Sequence, residues 1–233
     1  MLCLWLASLA LASSAGAEIV SARYGEPTTR YAHGVLGDAV EWGALELVLS
    51  GGQKLRAVLP ERLVFEDIAP RLADLDGDGA PEVIVVESSL TEGARLAVWD
   101  ETGRIAATAH IGQRNRWLAP AGAGDLDGDG RVEIAYVDRP HLAKVLRVLR
   151  VVPDDPIRLE PVAELAGLSN HRIGWDYILG GLRDCGAGAE LVLADGGWSR
   201  ILAVRLDAGT LQAREIGADP SRSRIGDALR CGF

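Results

Sequence analysis

Two acidic stretches with the same pattern decide the fold: DLDGDGAPEVIVVE at residues 74–87 and DLDGDGRVEIAYVD at residues 125–138, an offset of 51 residues. A weaker third copy, LRDCGAGAELVLAD, occupies residues 182–195. A faint fourth copy, WGALELVLS at 42–50, places Glu46 before an apolar run in the same way. Because recurring stretches indicate a recurring structural unit, we expect the chain to be built from several similar units.

Each unit is predicted to consist of several short strands. A run of small residues such as Ala69–Ala73 precedes the acidic loop, and a β-branched run such as Glu82–Val86 follows it. Further strand-like runs come after a turn, for instance Arg95–Trp99 and Lys144–Val151. Units of four antiparallel strands at a spacing near 50 residues are typical of the blades of a β-propeller. We predict an all-β propeller of about four four-stranded blades, with five blades, an open arc or a dimer that completes the ring as alternatives.

The N-terminal end predicts export. Residues 1–17, MLCLWLASLALASSAGA, lack charged side chains and end in the small residues that signal peptidase accepts. We therefore predict a signal peptide, a periplasmic or secreted protein, and one propeller domain over residues 18–233. No later segment is apolar for long enough to span a membrane. Residues 18–24 alternate like a strand, and we expect that strand to complete the last blade and close the ring.

Two cysteines remain after the predicted cleavage, Cys185 and Cys231. Cys185 lies in the weakened third acidic loop, and Cys231 lies close to the C-terminal end. Disulfides persist in the oxidising compartments that exported proteins reach. We therefore predict a disulfide between these two residues, which would clamp a loop that has lost most of its acidic side chains.

The acidic loops carry the clearest chemistry. Carboxylates at alternate positions of a turning backbone converge on one point, and oxygen ligands suit a hard cation such as calcium. We predict two calcium (Ca²⁺) sites, with a solvated acidic turn as the alternative. The predicted ligands are the side chains of Asp74, Asp76, Asp78 and Glu82 with the Ala80 carbonyl in the loop 74–82, and those of Asp125, Asp127, Asp129 and Glu133 with the Arg131 carbonyl in the loop 125–133. In the third copy, Leu182 and Gly186 replace two of the aspartates, and we predict no metal there.

The residues that flank the loops separate this pattern from other calcium motifs. An EF-hand requires a carboxylate at position 12 and flanking helices, whereas Val85 and Tyr136 stand at position 12 inside strand-like runs. From about Ile68 to Asp138 the chain resembles the FG-GAP repeats of integrin α-subunit propellers and the related VCBS repeats of bacterial exported proteins. That resemblance implies that each acidic loop joins the innermost strand of a blade to the next strand and holds a calcium ion with a structural role.

The connections that precede the innermost strands form the predicted ligand-binding face. In a propeller such connections lie near the axis, at the opposite end of the blades from the acidic loops. Their Arg and His side chains favour an anionic or carbohydrate ligand, with Trp117 as a stacking surface. The alternative is that they cap the blades and pair internally, Glu66 or Asp67 with Arg116. The candidate residues are Tyr31, His33, Glu66, Asp67, Arg114, Asn115, Arg116, Trp117, Asn170, His171 and Arg172.

Composition and motifs narrow the function. A net charge of -9 gives no attraction for phosphate backbones, so we expect no nucleic-acid partner. The sequence contains no HExxH or GxSxG motif, and we assign no catalytic residue. We predict a non-enzymatic binding or protein-interaction module with an unknown protein, anionic or carbohydrate ligand. The alternative is an enzyme, a hydrolase or lyase acting on a polysaccharide or phosphoester at an axial active site.

Overall fold

The computed structural model describes residues 17–154 and 156–232, and these residues are all-β apart from one short helix. The predicted signal peptide lies outside the described residues except for its last residue, so it stays a prediction. Within the described part of the chain, no helix has the length and apolar character that crossing a membrane requires.

The strands form three antiparallel sheets, and the helix follows the last strand. The first sheet contains β1 (Ile19–Thr28), β2 (Glu41–Leu49), β3 (Lys54–Val58), β4 (Leu63–Phe65), β5 (Arg71–Ala73), β6 (Glu82–Ser89), β7 (Gly93–Asp100) and β8 (Gly103–Ala107). The second contains β9 (Leu118–Gly124), β10 (Glu133–Asp138), β11 (Val145–Val152) and β12 (Arg158–Ala166). The third contains β13 (Leu168–Ser169), β14 (Gly181–Asp184), β15 (Ala189–Asp195), β16 (Arg200–Asp207) and β17 (Thr210–Ala218), followed by helix α1 (Arg222–Leu229).

The second sheet shows the repeating unit most simply. Its four strands pair in chain order, so the sheet is a meander of the kind that forms a propeller blade. Every residue of β10 is buried, whereas exposed residues recur along the edge strand β12. The acidic loop 125–133 joins β9 to β10, and the loop 74–82 joins β5 to β6 in the same way. The predicted all-β fold with propeller-like blades is confirmed, while the number of blades and ring closure stay predictions.

In two places, the strand that precedes an acidic loop or its third copy is divided into two short strands. β4 and β5 both pair with the edge of β6 that faces away from β7, and β13 and β14 share an edge of β15 in the same way. Residues 66–70, between β4 and β5, therefore leave the edge of β6 and return to it. Residues 170–180, between β13 and β14, do the same at the edge of β15. The prediction that these residues connect one blade to the next is wrong, because strand pairing continues on both sides of each interruption.

The predicted role of the N-terminal strand is also wrong. β1 pairs with β2 over almost its whole length, from Ile19 opposite Leu49 to Thr28 opposite Glu41. β17 pairs with β16 alone among the described strands. β1 therefore belongs to the first repeat and does not complete the last one. The physical reason is that β2 extends over nine residues, from Glu41 to Leu49, and β1, a strand of ten residues, satisfies its edge.

The apolar faces of neighbouring sheets pack against each other. Ile84 and Leu96 of the first sheet share one buried cluster with Leu118 and Ile134 of the second. A second cluster joins the second sheet to the third, and Leu146 and Leu191 belong to it. Each sheet thus buries both faces of its central strands, which accounts for the continuous β-branched and leucine-rich runs in β6, β10 and β15.

The C-terminal end is fixed to the third sheet. Ile225 and Ala228 of α1 are buried against Val192 of β15, and Cys231 forms a disulfide with Cys185 in the loop after β14. The predicted disulfide is therefore present. It closes a chain segment with a sequence separation of 46 residues, so it links the last turn of the chain to the third copy of the loop.

Removing this disulfide should destabilise the third sheet. For a loop of this length, the chain-entropy account gives roughly 4 kcal/mol, from which any strain is subtracted. We expect Cys185→Ser with Cys231→Ser to lower the free energy of unfolding in urea by about 2 to 4 kcal/mol. Dithiothreitol should shift the parent protein to the stability of the variant and leave the variant unchanged. Equal stability of the parent with and without reductant would contradict this account.

Candidate functional site

The first acidic loop follows β5 and folds around its own aspartates. Asp74 accepts hydrogen bonds from the backbone N–H groups of Gly77 (2.8 Å) and Gly79 (3.1 Å). Asp78 accepts one from the N–H of Ala80 (2.7 Å). Both glycines have a positive φ, which allows the chain to turn twice within five residues. These turns direct the carboxylates of the loop toward one another.

Three of its carboxylates approach closely enough to share a cation. One oxygen from each of Asp74, Asp76 and Asp78 lies within 4.8 Å of the others. Glu82, the fourth predicted side-chain ligand, is buried at the start of β6, where it accepts the N–H of Leu75 at 2.8 Å. Burial, with a smaller contribution from the charges of Asp76 and Asp78, raises the pKa of Glu82 to about 7. The loop thus gathers negative charge around a partly desolvated carboxylate.

The second loop repeats the backbone geometry. Asp125 accepts the N–H groups of Gly128 (2.7 Å) and Gly130 (3.0 Å), and Glu133 accepts the N–H of Leu126 (2.9 Å). Here the oxygens that lie within 4.8 Å of one another belong to Asp125, Asp127 and Glu133. The set of clustered carboxylates therefore differs between the loops. The predicted carbonyl ligands, Ala80 and Arg131, stay predictions.

The second loop also differs from the first by the presence of arginines. The side chain of Arg131 lies 2.7 Å from Asp129. Arg150, from β11, lies 2.6 Å from Glu133 and 2.7 Å from Asp127. Arg150 was not predicted from the sequence, because it is far from the loop along the chain and reaches it only through strand pairing.

In the third copy, arginines surround the glutamate completely. Arg183, Arg205 and Arg214 each lie within 3 Å of the Glu190 carboxylate. Burial alone would raise the pKa of Glu190, but hydrogen bonds from Arg214, Arg183 and Arg205 outweigh burial and lower the pKa to about 2. Glu190 is therefore neutralised by side chains of its own blade.

The predicted ligand-binding face lies at the other end of the strands. Trp117 precedes β9 and Asp125 follows it, so the seven residues of β9 separate the two ends by about 20 Å. At the Trp117 end there is a cavity of about 270 Å³. The residues that line the cavity are His33, Val35, Asn115, Arg116, Trp117, Arg139, His141, Leu142 and Ile173.

Four of the predicted residues line this cavity: His33, Asn115, Arg116 and Trp117. Five others are buried outside its lining: Tyr31, Glu66, Asp67, Asn170 and His171. Arg114 is exposed outside the lining, and Arg172 lies over the Trp198 ring at 4.6 Å instead. The predicted face therefore consists of the residues that line the cavity, which form its wall, and a layer of buried polar residues behind them.

The buried residue Glu66 holds two wall residues, His33 and Trp117, in place. Glu66 is fully buried, accepts a hydrogen bond from Ser88 and lies 2.5 Å from Nδ1 of His33. Its backbone carbonyl accepts the indole N–H of Trp117 at 2.8 Å. Burial raises the pKa of Glu66. Asp67 pairs with Arg71 at 2.5 Å, so neither acid pairs with an arginine of the wall.

A close backbone contact holds the loop that carries Arg116. Gly93 has a φ of 74°, and a Cβ there would lie 2.2 Å from the carbonyl oxygen of Gln113. The N–H of Ala94 bonds the Arg116 carbonyl at 2.8 Å, while the hydroxyl of Tyr31 accepts the N–H of Asn115 at 2.9 Å. The loop is therefore fixed from two sides. Among the described residues, no carboxylate pairs with the Arg116 guanidinium, which donates to the Asn115 carbonyl.

His141 and Arg139 are wall residues that the sequence analysis did not assign. They lie in the turn between β10 and β11, which returns to the Trp117 end because β9 and β10 are antiparallel. Nε2 of His141 lies 2.9 Å from Nδ1 of His171, and the His141 ring stacks on Trp117. The Arg, His and Lys side chains in this turn were the available sequence signal.

A larger groove of about 790 Å³ lies on the side of the molecule, along β8 and β12. Its charged side chains are already paired with each other. Arg147 lies 3.2 Å from Asp138 and 2.5 Å from Glu164, and Arg139 lies 2.8 Å from Asp138. The groove therefore offers no free charge to a ligand, in contrast to Arg116 in the smaller cavity.

These features define an all-β protein of propeller-like blades with acidic loops at one end and a cavity at the other. The segment 74–136, which includes both complete acidic loops, matches the family model of the FG-GAP-like repeat. The chain thus contains an FG-GAP-like repeat segment, and the resemblance found in the sequence is confirmed for this segment. No curated protein matched the chain.

The histidine pair behind the cavity gives a direct test of this geometry. Burial, with the charge of the neighbouring His171, lowers the pKa of His141 to about 4, and burial also lowers the pKa of His171. We expect the His141 ring to stay neutral at pH 5.5 in NMR titrations and the His171 ring to titrate below the unfolded value, whereas urea-unfolded chains titrate near 6.5. Since the folded pKa is the lower one, the associated stability is present above pH 6.5 and is lost as the pH falls toward 4. Titration of both rings near pH 6.5 in the folded protein would contradict the buried pair.

Proposed function

We propose that this protein is an exported, calcium-stabilised binding module that holds a carboxylate-bearing ligand in the cavity beside Trp117 and catalyses no reaction. The observation that carries the proposal is the Arg116 guanidinium. It lines a cavity, is half-buried and pairs with no acid among the described residues, in a protein whose net charge is -9. A guanidinium in a partly desolvated wall is suited to bind a carboxylate through two parallel hydrogen bonds.

The other wall residues favour a small ligand with an apolar or ring-shaped part. The half-buried His141 ring offers a stacking surface, and His33 and Asn115 offer hydrogen bonds. Trp117 is only 2% exposed and the His141 ring stacks on it, so the stacking surface predicted for Trp117 is covered. Leu142 and Ile173 are 63% and 71% exposed and form an apolar part of the rim of the cavity. The volume of about 270 Å³ suits one sugar ring or one amino-acid side chain. A uronic-acid unit of a polysaccharide combines a ring with a carboxylate, and we propose this class.

Calcium is proposed as a structural ion. Asp74, Asp76, Asp78 and Glu82 would hold it in the first loop, and the second loop offers Asp125, Asp127 and Glu133. Bound there, calcium neutralises carboxylates that the loop backbone forces together. It takes no part in ligand binding, because β9 separates the loops from the cavity.

Export is supported by the disulfide and by the apolar N-terminal segment. Disulfides are rare in reducing compartments and common in exported proteins. Exported proteins also meet calcium at concentrations that weak, exposed oxygen sites can bind. The periplasm or the cell exterior is therefore the proposed location.

Removing calcium should destabilise the protein. A site occupied at a hundredfold excess of calcium over its Kd contributes about 2.7 kcal/mol. We expect EGTA to lower the Tm and added calcium to restore it. Asp76→Asn should remove most of this response, whereas Asp207→Asn, an exposed acid outside the loops, should leave it intact. A Tm that is the same in EGTA and in calcium would contradict a structural ion.

Ligand binding should depend on Arg116. We expect saturation-transfer difference NMR to show binding of oligogalacturonate but not of its methyl ester, which lacks the charge. Arg116→Gln should weaken binding by at least about tenfold, since a charge-assisted pair contributes roughly 1.5 to 3 kcal/mol. Arg114→Gln, an exposed neighbour outside the cavity lining, is the matched control. Equal binding of the acid and the ester, or equal binding by both variants, would overturn the proposed site.

An enzyme is the second candidate, because one observation favours it. His33 lies in the cavity wall with Nδ1 held 2.5 Å from the buried Glu66, an arrangement that suits a general base. In a lyase, His33 would take the proton from the carbon next to the carboxylate held by Arg116. The electron pair of that C–H bond would form a carbon–carbon double bond, and the bond to the glycosidic oxygen would break with its electron pair leaving on the oxygen. The same oligogalacturonate distinguishes the candidates. Ultraviolet absorbance from an unsaturated product would favour the lyase, and binding without product would favour the module.

A further inference from the structure

The two acidic loops are not equivalent, and the difference lies in Arg150. In the pairing of β10 with β11, Arg150 stands directly opposite Glu133. Its guanidinium lies 2.6 Å from Glu133, 2.7 Å from Asp127 and 3.3 Å from Asp129. The side chain is only 15% exposed. An arginine thus already contacts three of the carboxylates of the second loop.

The first loop has an acid at the matching position. Val83 pairs with Trp99 between β6 and β7, so the position opposite Glu82 is that of Asp100. Asp100 accepts hydrogen bonds from its own turn, including the N–H of Thr102 at 2.6 Å. Among the described residues, no arginine or lysine pairs with the carboxylates of the first loop. The described part of the chain therefore supplies no cationic side chain to the carboxylates of the first loop.

In the third copy, three arginines contact the glutamate. The pairing of Leu191 with Val204 places Arg205 opposite Glu190, at the position that Arg150 has in the second sheet. Arg183 and Arg214 add two further contacts to the same carboxylate. Among the described residues, the number of arginines in contact with this glutamate rises from none in the first loop to one in the second and three in the third copy, and only the third copy has lost aspartates.

We infer that Arg150 acts as a built-in cation that competes with calcium for the second loop. This inference rests on the proposed calcium binding. Calcium can reach Asp127 and Glu133 only if the guanidinium gives up its charge-assisted bonds to them. In the first loop, calcium meets four acidic side chains, Asp74, Asp76, Asp78 and Glu82, and no bound guanidinium. The first loop therefore binds calcium first, and the second loop binds it about tenfold to a hundredfold more weakly.

Isothermal titration with calcium alone tests this inference on variants that isolate each loop. Asp127→Asn leaves the first loop intact, and Asp76→Asn leaves the second. We expect the Asp127→Asn protein to bind about tenfold or more tightly than the Asp76→Asn protein. Adding Arg150→Met to Asp76→Asn should raise the affinity of the second loop by at least about tenfold.

Two further variants complete the design. Arg147→Met, on the same strand but paired with Asp138 and Glu164, is the matched control and should leave calcium affinity unchanged. Asp100→Arg should weaken the first loop, and it tests the inference even if Arg150→Met fails to fold.

The outcomes separate the two claims. Equal affinities of the two isolated loops, or no gain from Arg150→Met and no loss from Asp100→Arg, would overturn the competition while calcium binding stands. Absence of calcium binding in the Asp127→Asn protein, with binding still measured in Asp76→Asn, would reverse the proposed order and overturn the inference. Absence of binding in every variant and in the parent would overturn both the inference and the proposed structural ion.

Discussion

A glutamate near or at the start of the second strand of each repeat imposes the main physical constraint on this protein. Glu82 and Glu133 each accept a backbone N–H from the loop before them, at 2.8 and 2.9 Å, so the carboxylate closes the loop onto the strand. Both are buried, as is Glu190. A buried carboxylate is costly unless a positive charge or several hydrogen bonds accompany it. Arg150 contacts Glu133 in the second loop, and Arg183, Arg205 and Arg214 contact Glu190 in the third copy, whereas we propose calcium for the first loop.

That constraint connects the loops to the cavity. The innermost strand of the second sheet carries an acidic loop at one end and Trp117 at the other. Hydrogen bonds to Asp125 close the loop and hold one end of β9 in place. Trp117, on which the His141 ring stacks, precedes the other end of β9. The polar layer of Glu66 and His171 supports the wall from behind. Two arginines line the cavity, and within the described part of the chain Arg139 pairs with Asp138 whereas Arg116 pairs with no carboxylate.

Much of the fold was predictable because its signals are local. The Asp-Gly spacing of the loops, the β-branched runs and the pair Cys185 and Cys231 are all visible in the sequence, and the structure contains the loops, the strands and the disulfide. The partner of β1 was not predictable in this way, because two free strand edges competed for it. The interruptions at residues 66–70 and 170–180 were missed because they look like ordinary connections.

The site was only partly predictable, for a related reason. His33, Arg116 and Trp117 were found because they precede innermost strands, whereas His141 reaches the cavity through a hairpin turn on the far side of a strand. Arg150 was missed because its contact with Glu133 depends on strand register, which a single sequence does not specify. Contacts between strands, unlike motifs within loops, became visible only in the folded structure.

The most direct test is a crystal structure of the protein grown in strontium, a calcium substitute whose anomalous scattering locates each ion. The account predicts a strong anomalous peak among Asp74, Asp76 and Asp78 at a low concentration of the ion. It predicts a guanidinium, and no peak, on Glu133 under the same conditions, and Arg183, Arg205 and Arg214 around Glu190. A peak in the second loop with Arg150 turned away, or no peak in the first loop at any concentration, would contradict it.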